Sequence, residues 1–368
     1  MAQLYSSILR ASPIVVVLVV GVLMEAAGCR DEQQPPAPRD KDWSAAFSKA
    51  VPALMAEFSV PGVALAVVDT SGLVEKGVQT FTRGQVAAAN PISYKTVFEG
   101  ASLGKPLFAY AFLHSDRLPP VDIDAPIEDH LGLSITADEA GRSITARQLL
   151  SHTSGLVYAP RENRRLVESP PGKKWKYSGL GYVILQQTAE KTWNASLEEL
   201  VNVVLPDSLK MSRTSWLPPD TTADRTVGHT RAGAPLRSTP WTVPSASSTL
   251  HTTVVDYGRF VARMLADIAE GDSVSLRMIQ PQVDVDSQLG LSWGLGWAVA
   301  EDAGDTLFLH WGSNPGYKSL AIGSTKQNLG LVVLTNGDNG LEVATRIVPL
   351  VFGKNYDFLQ FYMLHPDD

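Results

Sequence analysis

Apolar and polar residues follow strand-like patterns near both ends of the chain. Val63–Val68 is a continuous apolar run, and the turn after it is followed by Leu73 and Val74, which predicts two strands joined by a turn. Further strand-like runs occur late in the chain, at Gly296–Ala300, Ser319–Ile322 and Leu329–Thr335, the last ending in the turn Asn336–Gly337. The strands are therefore expected to come from the two ends of the chain.

Between these runs, apolar residues recur at helical spacing. An N-terminal helix is predicted over Trp43–Phe58, with Pro52 as a kink. The other predicted helices are Lys105–Leu113, Ala146–Ser151, Gly181–Lys191, Leu197–Val204 and Arg259–Ala269, separated by loops rich in proline and glycine. This order predicts an α/β (α+β) protein whose sheet comes from about residues 43–95 and 250–352, with a mainly helical part at about 100–250.

The N-terminal segment has a different pattern. Ile14–Met24 is an uninterrupted apolar run behind Arg10, which has the length of a secretory signal core and is short for a membrane span. The small residues that lead to Cys29 resemble a bacterial lipoprotein signal, although an uncleaved anchor or a simple signal would also fit. We therefore expect residues 1–28 to be a signal, Cys29 to be lipidated, and the protein to be exported and held at the membrane of the cell envelope.

The two segments that flank the expected domain differ in character. Residues 29–42 are polar and rich in proline, which is typical of an extended tether, so the catalytic domain is expected to span 43–355. Residues 356–368 contain the strongly apolar stretch Tyr356–Leu364. We expect this tail to pack against the sheet, whereas an exposed run would mark a contact with a partner or a membrane.

Composition excludes several classes of function. The chain has 368 residues, of which 44% are apolar and 19% charged, so a large packed core is expected. A net charge of −7 gives no basic surface for nucleic acid. Cys29 is the single cysteine, which excludes an internal disulfide and a thiolate metal site. His152 has no histidine at metal-ligand spacing, so a structural role is expected for it, and neither a metal nor a cofactor is expected.

Ser102 and Lys105 form an S-x-x-K tetrad at the start of a predicted helix. Three residues are close to one helical turn, so the lysine amine can reach the serine hydroxyl and supply a base to a nucleophile. The positive end of the helix dipole also favours a developing oxyanion. The tetrad alone is weak evidence, because chance matches are expected in a chain of this length.

The same serine fits a second template. Gly100–Gly104 is a G-x-S-x-G pattern, as in the nucleophile elbow of an α/β-hydrolase, and Gly290–Gly294 is another. An elbow needs a strand before the serine and a helix after it, and Ser102 meets both conditions. Ser292 is followed by further glycines and is expected in a glycine-rich turn. In an α/β-hydrolase the base would be a histidine rather than a lysine.

Three later segments distinguish these templates by their fixed order. They are Leu149–Leu156 (LLSHTSGL), Tyr177–Tyr182 (YSGLGY) after Pro171–Lys173, and His310–Gly312 (HWG). Together with the S-x-x-K tetrad they resemble the serine β-lactamase-related family, which includes class C β-lactamases, penicillin-binding DD-peptidases, D-aminopeptidases and family VIII esterases. The resemblance covers roughly Trp43–Phe352 and implies a β-lactamase/transpeptidase-like fold, an antiparallel sheet flanked by helices plus a mainly helical subdomain.

The resemblance also implies the roles of individual residues. Ser102 would be the acylated nucleophile, Lys105 its base partner, and Tyr177 the phenol that relays the proton. His310 and Gly312 stand in the third motif, usually Lys-Thr/Ser-Gly. The oxyanion would be held by the backbone N–H groups of Ser102 and Ser313.

Two departures from the family pattern concern the substrate. Gly179 stands where an asparagine commonly binds an acylamide, and His310 replaces a lysine that would hold a carboxylate. Both weaken the case for an efficient β-lactamase. The resemblance implies a serine hydrolase that acts through an acyl-enzyme on small esters, amides or peptides without a cofactor. The alternatives are a penicillin-binding or sensor lipoprotein without turnover, and a true β-lactamase.

Overall fold

An eight-stranded sheet organises the part of the chain that the structure, a computed structural model, describes. The described residues are 41–84, 91–115, 121–131, 139–158, 166–205, 209–219, 225–237 and 240–365. The predicted signal, Cys29 and all but the end of the predicted tether lie outside them. Among the described residues, no helix has the length and apolar character needed to cross a membrane.

The order of the described strands and helices follows the predicted outline, with most strands near the two ends of the chain and helices between them. The strands are β1 Gly62–Asp69, β2 Gly72–Thr82, β3 Phe98–Ala101, β4 Leu250–Thr252, β5 Val283–Asp286, β6 Leu291–Trp293, β7 Ala298–Asp302, β8 Asp305–Asn314, β9 Tyr317–Ser324 and β10 Leu329–Thr335. The helices are α1 Ser44–Glu57, α2 Gly104–Leu113, α3 Ile127–Leu131, α4 Ala146–Leu150, α5 Gly179–Trp193, α6 Leu197–Val204, α7 Val254–Glu270, α8 Ser273–Met278 and α9 Gly340–Phe352. Short 3₁₀ helices occupy Glu139–Ser143, Asp357–Gln360 and Tyr362–Leu364.

The two ends of the chain build one sheet. Its strand order is β2-β1-β10-β9-β8-β7-β6-β5, and every neighbouring pair is antiparallel. The N-terminal hairpin joins the C-terminal strands through β1 and β10, with Val63 opposite Thr335 and Asp69 opposite Leu329. Strands β3 and β4 form a separate two-stranded sheet. The predicted class, an antiparallel sheet with flanking helices and a helical part between its halves, is confirmed.

Both faces of the sheet are covered, which explains why β1 is apolar at successive positions. Val63, Leu65 and Val67 enter the core shared with α1 and α9, whereas alternate residues such as Ala64 and Ala66 enter the core on the side of α7. The C-terminal tail belongs to the first of these cores. Its buried side chains are Tyr356, Phe358, Leu359, Phe361 and Leu364, so the tail packs as predicted.

The largest difference from the predicted strands is β8. Its sequence, DTLFLHWGSN, mixes polar and glycine residues with apolar ones and does not alternate, so no strand was predicted there. The pairing with β7 and β9 forms the strand despite this local pattern. Ser292, expected in a glycine-rich turn, lies instead in β6, where it pairs with Val299 of β7. That expectation was wrong because cross-strand pairing outweighs the turn preference of the flanking glycines.

Candidate active site

Ser102 lies where the chain turns from β3 into α2. Ala101, the last residue of the strand, has φ of 50°, a left-handed conformation that is uncommon for a residue with a side chain. The Leu103 N–H then donates to the carbonyl of Gly100 at 3.0 Å, which closes the turn before α2 begins at Gly104. This sharp turn leaves the Ser102 side chain half-buried, ahead of the helix.

The S-x-x-K spacing produces the contact that it predicts. Lys105 Nζ donates to Ser102 Oγ at 2.9 Å and to the carbonyl of Ser247 at 2.6 Å. The lysine is 1% exposed, and this burial lowers its pKa to about 7. At neutral pH a large fraction of the amine is therefore uncharged and able to accept the serine proton.

Ser247 is a part of the site that sequence analysis missed. Its carbonyl accepts from Lys105 and also from Ser102 Oγ, at 3.3 Å. The residue lies 142 positions after Lys105, in a stretch of small polar residues that is typical of a loop and carries no sign of chemistry. Only the fold brings this carbonyl to the nucleophile.

Tyr177 lies beside the lysine, with its ring centroid 5.0 Å from Lys105 Nζ. The side chain is buried, and its hydroxyl has no hydrogen-bond partner among the described residues. Burial raises the pKa of the phenol, and an interaction with the Ser102 side chain that falls short of hydrogen-bond geometry opposes the shift only in part. The phenol therefore keeps its proton at neutral pH and is placed to pass it on.

The side chain of His152 packs against the ring of Tyr177. The N–H of Ser178 donates to His152 Nδ1 at 3.1 Å, and the imidazole lies 4.2 Å from the Tyr177 ring between centroids. Burial, together with the nearby Lys105 and His310, lowers the pKa of His152 far below its usual value. These are the contacts of a neutral histidine that holds its neighbours in place. Among the described residues no group of metal-ligating side chains occurs.

His310 lies on β8 and is fully buried. Its Nδ1 is 2.8 Å from the carbonyl of Trp311, and because a carbonyl only accepts, Nδ1 carries the proton. Nε2 is left with a lone pair and no partner among the described residues. Burial and the charge of Lys105 lower the pKa of His310 to about 3, so the side chain is neutral at any physiological pH.

Gly312 brings β8 against the turn that carries the serine. A Cβ at this position would lie 2.2 Å from the carbonyl oxygen of Gly100, so only glycine fits. Ser319, opposite Gly312 on β9, donates from Oγ to the same carbonyl at 3.0 Å. The third motif therefore packs directly against the turn that carries Ser102.

Ser313 follows on a strand edge that β7 no longer covers, since β7 pairs with β8 only as far as Leu309. Asn314 and Tyr317 flank a two-residue loop and form the hydrogen-bonded pair that closes the hairpin. Hydrogen-bonded and non-hydrogen-bonded pairs alternate along antiparallel strands, so the N–H of Ser313, one residue earlier, points away from β9. The structure thus brings Ser102, Lys105, Tyr177, His310, Gly312 and Ser313 into one site.

One buried amide connects the three segments of this site. Asn314 Nδ2 donates to Glu99 Oε2 at 2.7 Å and to the carbonyl of Ser248 at 3.1 Å. Glu99 also accepts from Trp241 Nε1 at 3.0 Å. Glu99 lies on β3, three residues before Ser102. The amide therefore ties β8 to the strand that leads to Ser102 and to the loop whose carbonyl accepts from Lys105. No pattern in the sequence indicated this connection.

The fold excludes the α/β-hydrolase interpretation. Ser102 does follow a strand and precede a helix, but the main sheet is antiparallel throughout, whereas an α/β-hydrolase carries its elbow on a mainly parallel sheet. The group that contacts Ser102 Oγ is a lysine, as the S-x-x-K template requires.

Solved structures and known sequences share this architecture. D-alanine carboxypeptidase AmpC from Burkholderia cenocepacia superposes with a TM-score of 0.70 at 20% identity, covering 85% of this chain and 99% of that one. The octameric penicillin-binding protein homologue from Pyrococcus abyssi gives a TM-score of 0.68 at 19% identity, covering 87% and 80%. At these identities the likeness establishes the fold alone.

The sequence comparisons point to the same group. Penicillin-binding protein 4 from Amycolatopsis lactamdurans is 26% identical over 320 residues, which cover 77% of this chain and 83% of that protein. The family model described as Beta-lactamase matches residues 47–352, most of the chain and nearly the stretch over which the motifs indicate a resemblance. The chain therefore belongs to the beta-lactamase family.

Proposed function

We propose that this protein is a serine hydrolase that acts on small esters, amides or peptides through an acyl-enzyme on Ser102. The observation that carries the proposal is the 2.9 Å hydrogen bond from Lys105 Nζ to Ser102 Oγ, made by a lysine whose pKa burial lowers to about 7. A serine hydroxyl is a weak nucleophile until a neighbouring base removes its proton, and this lysine is such a base.

Acylation uses Ser102 as the nucleophile, Lys105 as the base and Tyr177 as the proton donor. Uncharged Lys105 takes the proton from Ser102 Oγ, which attacks the substrate carbonyl and forms a tetrahedral oxyanion. The backbone N–H groups of Ser102 and Ser313 hold the oxyanion. When the intermediate collapses, the bond to the leaving group breaks, and Tyr177 donates a proton to that group and regains one from Lys105.

Deacylation repeats these steps with water as the nucleophile. Water gives its proton to the lysine and tyrosine pair and attacks the acyl carbonyl, after which Ser102 Oγ leaves and recovers a proton. The cycle needs no cofactor.

The site favours esters over β-lactams. His310 is neutral, so it attracts a substrate carboxylate less than a lysine would, and Gly179 offers no side chain to an acylamide. We expect short-chain p-nitrophenyl esters to be hydrolysed with a higher kcat/KM than nitrocefin or D-alanyl p-nitroanilide. A kcat/KM for nitrocefin above that of the best ester would instead favour a true β-lactamase.

The nucleophile can be tested by labelling with a fluorophosphonate probe and locating the adduct by mass spectrometry. The wild type should carry one adduct at Ser102, and Ser102→Ala should carry none. Ser292→Ala is a matched control, because Ser292 lies in the second G-x-S-x-G pattern but on β6, and it should label as the wild type does. Absence of an adduct at Ser102, or equal labelling of Ser102→Ala, would contradict the proposal.

Penicillin binding without turnover is the second candidate, favoured by the match to Penicillin-binding protein 4 from Amycolatopsis lactamdurans. Its signature is one equivalent of p-nitrophenol per enzyme followed by no further release. Multiple turnovers of the same ester would exclude it.

A further inference from the structure

Lys318 is a buried lysine outside the motifs of the site. It lies on β9 opposite Ser313 of β8, and only 7% of it is exposed. Its Nζ donates to the carbonyl of Asn314 at 3.0 Å and to Asp338 Oδ1 at 3.0 Å. One side chain therefore connects the β8–β9 turn, residues 314–317, to the segment that follows β10.

Asp338 holds the same turn through a second contact. Its Oδ1 accepts from the N–H of Gly316, inside the turn, at 2.7 Å. Its own N–H donates to the carbonyl of His229 at 3.0 Å, which anchors the aspartate to another segment. The carboxylate thus binds both the backbone of the β8–β9 turn and the lysine that reaches back over it.

The β8–β9 turn is also confined by packing. Gly316 has φ of 79°, and a Cβ there would lie 2.7 Å from the Cα of Gly228, so the two backbones touch. On the side of β10, Thr335 Oγ1 donates to the carbonyl of Lys318 at 3.0 Å. These contacts fix the turn relative to β10 and to the segment around Gly228.

The ion pair between Lys318 and Asp338 contributes direction more than stability. Apolar side chains that fill the same space are often at least as stabilising as a buried ion pair, because the charges lose their hydration. The pair does determine where the carbonyl of Asn314 lies, and Asn314 directly follows Ser313 in the chain. Oxyanion donors act only within a narrow range of distances, so a fixed turn also fixes the N–H of Ser313.

We infer that Lys318 and Asp338 are positioning residues for the reaction at Ser102. Their ion pair holds the β8–β9 turn so that the N–H of Ser313 stays aimed at the developing oxyanion. This inference rests on the proposed acyl-enzyme and adds two residues that act on the reaction only through the backbone of Ser313.

The test compares Lys318→Met with the wild type in the hydrolysis of p-nitrophenyl butanoate and in inhibition by phenylboronic acid. The boron atom binds the Ser102 oxygen and becomes tetrahedral, so the adduct resembles the transition state and its Ki depends on the oxyanion donors. We expect kcat to fall about ten- to hundredfold while KM changes less than about threefold, and Ki to rise by a factor similar to the loss of kcat.

Two further variants separate this role from a general effect on folding. Asp338→Asn keeps an oxygen acceptor for Gly316 and Lys318 but removes the charge, so it should lower kcat and raise Ki in the same direction by a smaller factor. Lys326→Met is the matched control, because Lys326 also donates to a backbone carbonyl, that of Ala303, near the opposite end of β9. It should leave kcat and Ki unchanged. Denaturant unfolding gives the folded fraction by which each activity is divided.

The outcomes distinguish this inference from the proposed function. Wild-type kcat and Ki in folded Lys318→Met, a rise in KM alone, or a loss of kcat with unchanged Ki would overturn the positioning role and leave the proposed function in place. If Lys318→Met does not fold, wild-type kcat and Ki in Asp338→Asn would overturn the positioning role. Full ester hydrolysis by Ser102→Ala would overturn the proposed function itself.

Discussion

The two walls of the site differ in how their polar atoms are satisfied. On one wall, Lys105, Asn314 and Ser319 all donate hydrogen bonds to neighbouring protein groups. On the other, Tyr177, His152 and His310 each keep one buried hydrogen-bonding atom without a partner among the described residues. The first is called the polar wall and the second the aromatic wall, since Trp175, Trp293 and Trp311 surround it.

This difference separates positioning from reaction. Buried polar atoms without partners are costly and uncommon in folded proteins, and on this wall they include the indole N–H groups of Trp175 and Trp293 as well. Those of Tyr177 and His310 lie near Lys105, where a bond to substrate or water can satisfy them. The hydrogen bonds of the polar wall fix the backbone around Ser102. The aromatic wall keeps the Tyr177 phenol protonated and the His310 imidazole neutral. Substitutions on each wall test this division, and the one at Lys105 should have the largest effect.

Replacing the base should remove activity and add stability. Lys105→Met should lower kcat about 10³-fold or more, because the nucleophile, base and phenol act as one unit. The folded-state pKa of about 7 lies below the ordinary 10.5, so the unfolded chain binds the proton more strongly and the lysine lowers stability as pH falls from about 10.5 toward 7. At pH 7 the variant should therefore be more stable by at least about 1 kcal/mol. Denaturant unfolding measures the change in stability, and steady-state kinetics measures the loss of kcat. A variant less stable than the wild type would contradict the claim that burial of the amine lowers its pKa.

Removing one hydroxyl from the aromatic wall should reduce activity without reducing stability. Tyr177→Phe keeps the ring and its packing but loses the proton relay, so we expect kcat to fall about 10²- to 10³-fold. The lost hydroxyl has no partner to leave unsatisfied, so the free energy of unfolding should be unchanged or higher. A clear loss of stability would show that the hydroxyl is bonded in the folded state and would remove the contrast between the walls.

Breaking the polar wall should have the opposite signature. Asn314→Ala leaves the buried Glu99 carboxylate with fewer donors, so we expect a loss of stability of about 1–3 kcal/mol. Displacement of the Ser313 segment should lower kcat about tenfold or more, with a smaller change in KM. Asn314→Gln, which retains the amide, is the conservative control and should recover part of both. If Asn314→Ala is less stable but its kinetic constants are unchanged, Asn314 contributes to folding and not to catalysis.

The smallest expected effect is the pH dependence of kcat/KM. Lys105 must be uncharged to act as a base, so activity should rise with pH through a midpoint near 7 and at pH 6 should be about one-tenth of its plateau. His310, with a pKa of about 3, should add no second transition above pH 5. A second transition near pH 5, in addition to the one near 7, would assign a titrating role to the aromatic wall.

The contact between Lys105 and Ser102 could be predicted from sequence, because three residues are close to one helical turn. The helix Leu197–Val204 and the strand Leu329–Thr335 match the predicted bounds, because their apolar patterns are regular. Strand β8 could not be predicted, although it carries His310 and Ser313, because its own pattern is irregular and its neighbours define it. The partners of Lys105 and Asn314 in the loop around Ser247 are set by contacts over 142 and 66 positions, which no local pattern encodes.

The C-terminal tail has a consequence for biosynthesis. The ring of Phe361 packs edge-on against Trp311 at 5.7 Å and Trp175 at 5.9 Å, and Trp311 in turn stacks on Tyr177. A ribosome makes the nucleophile segment long before it makes Phe361, and domains fold as units once enough chain has emerged. The aromatic wall therefore stays without its support until translation has passed residue 361. A nascent chain can therefore contain Ser102, Lys105 and Tyr177 and still lack the ring that packs against the aromatic wall.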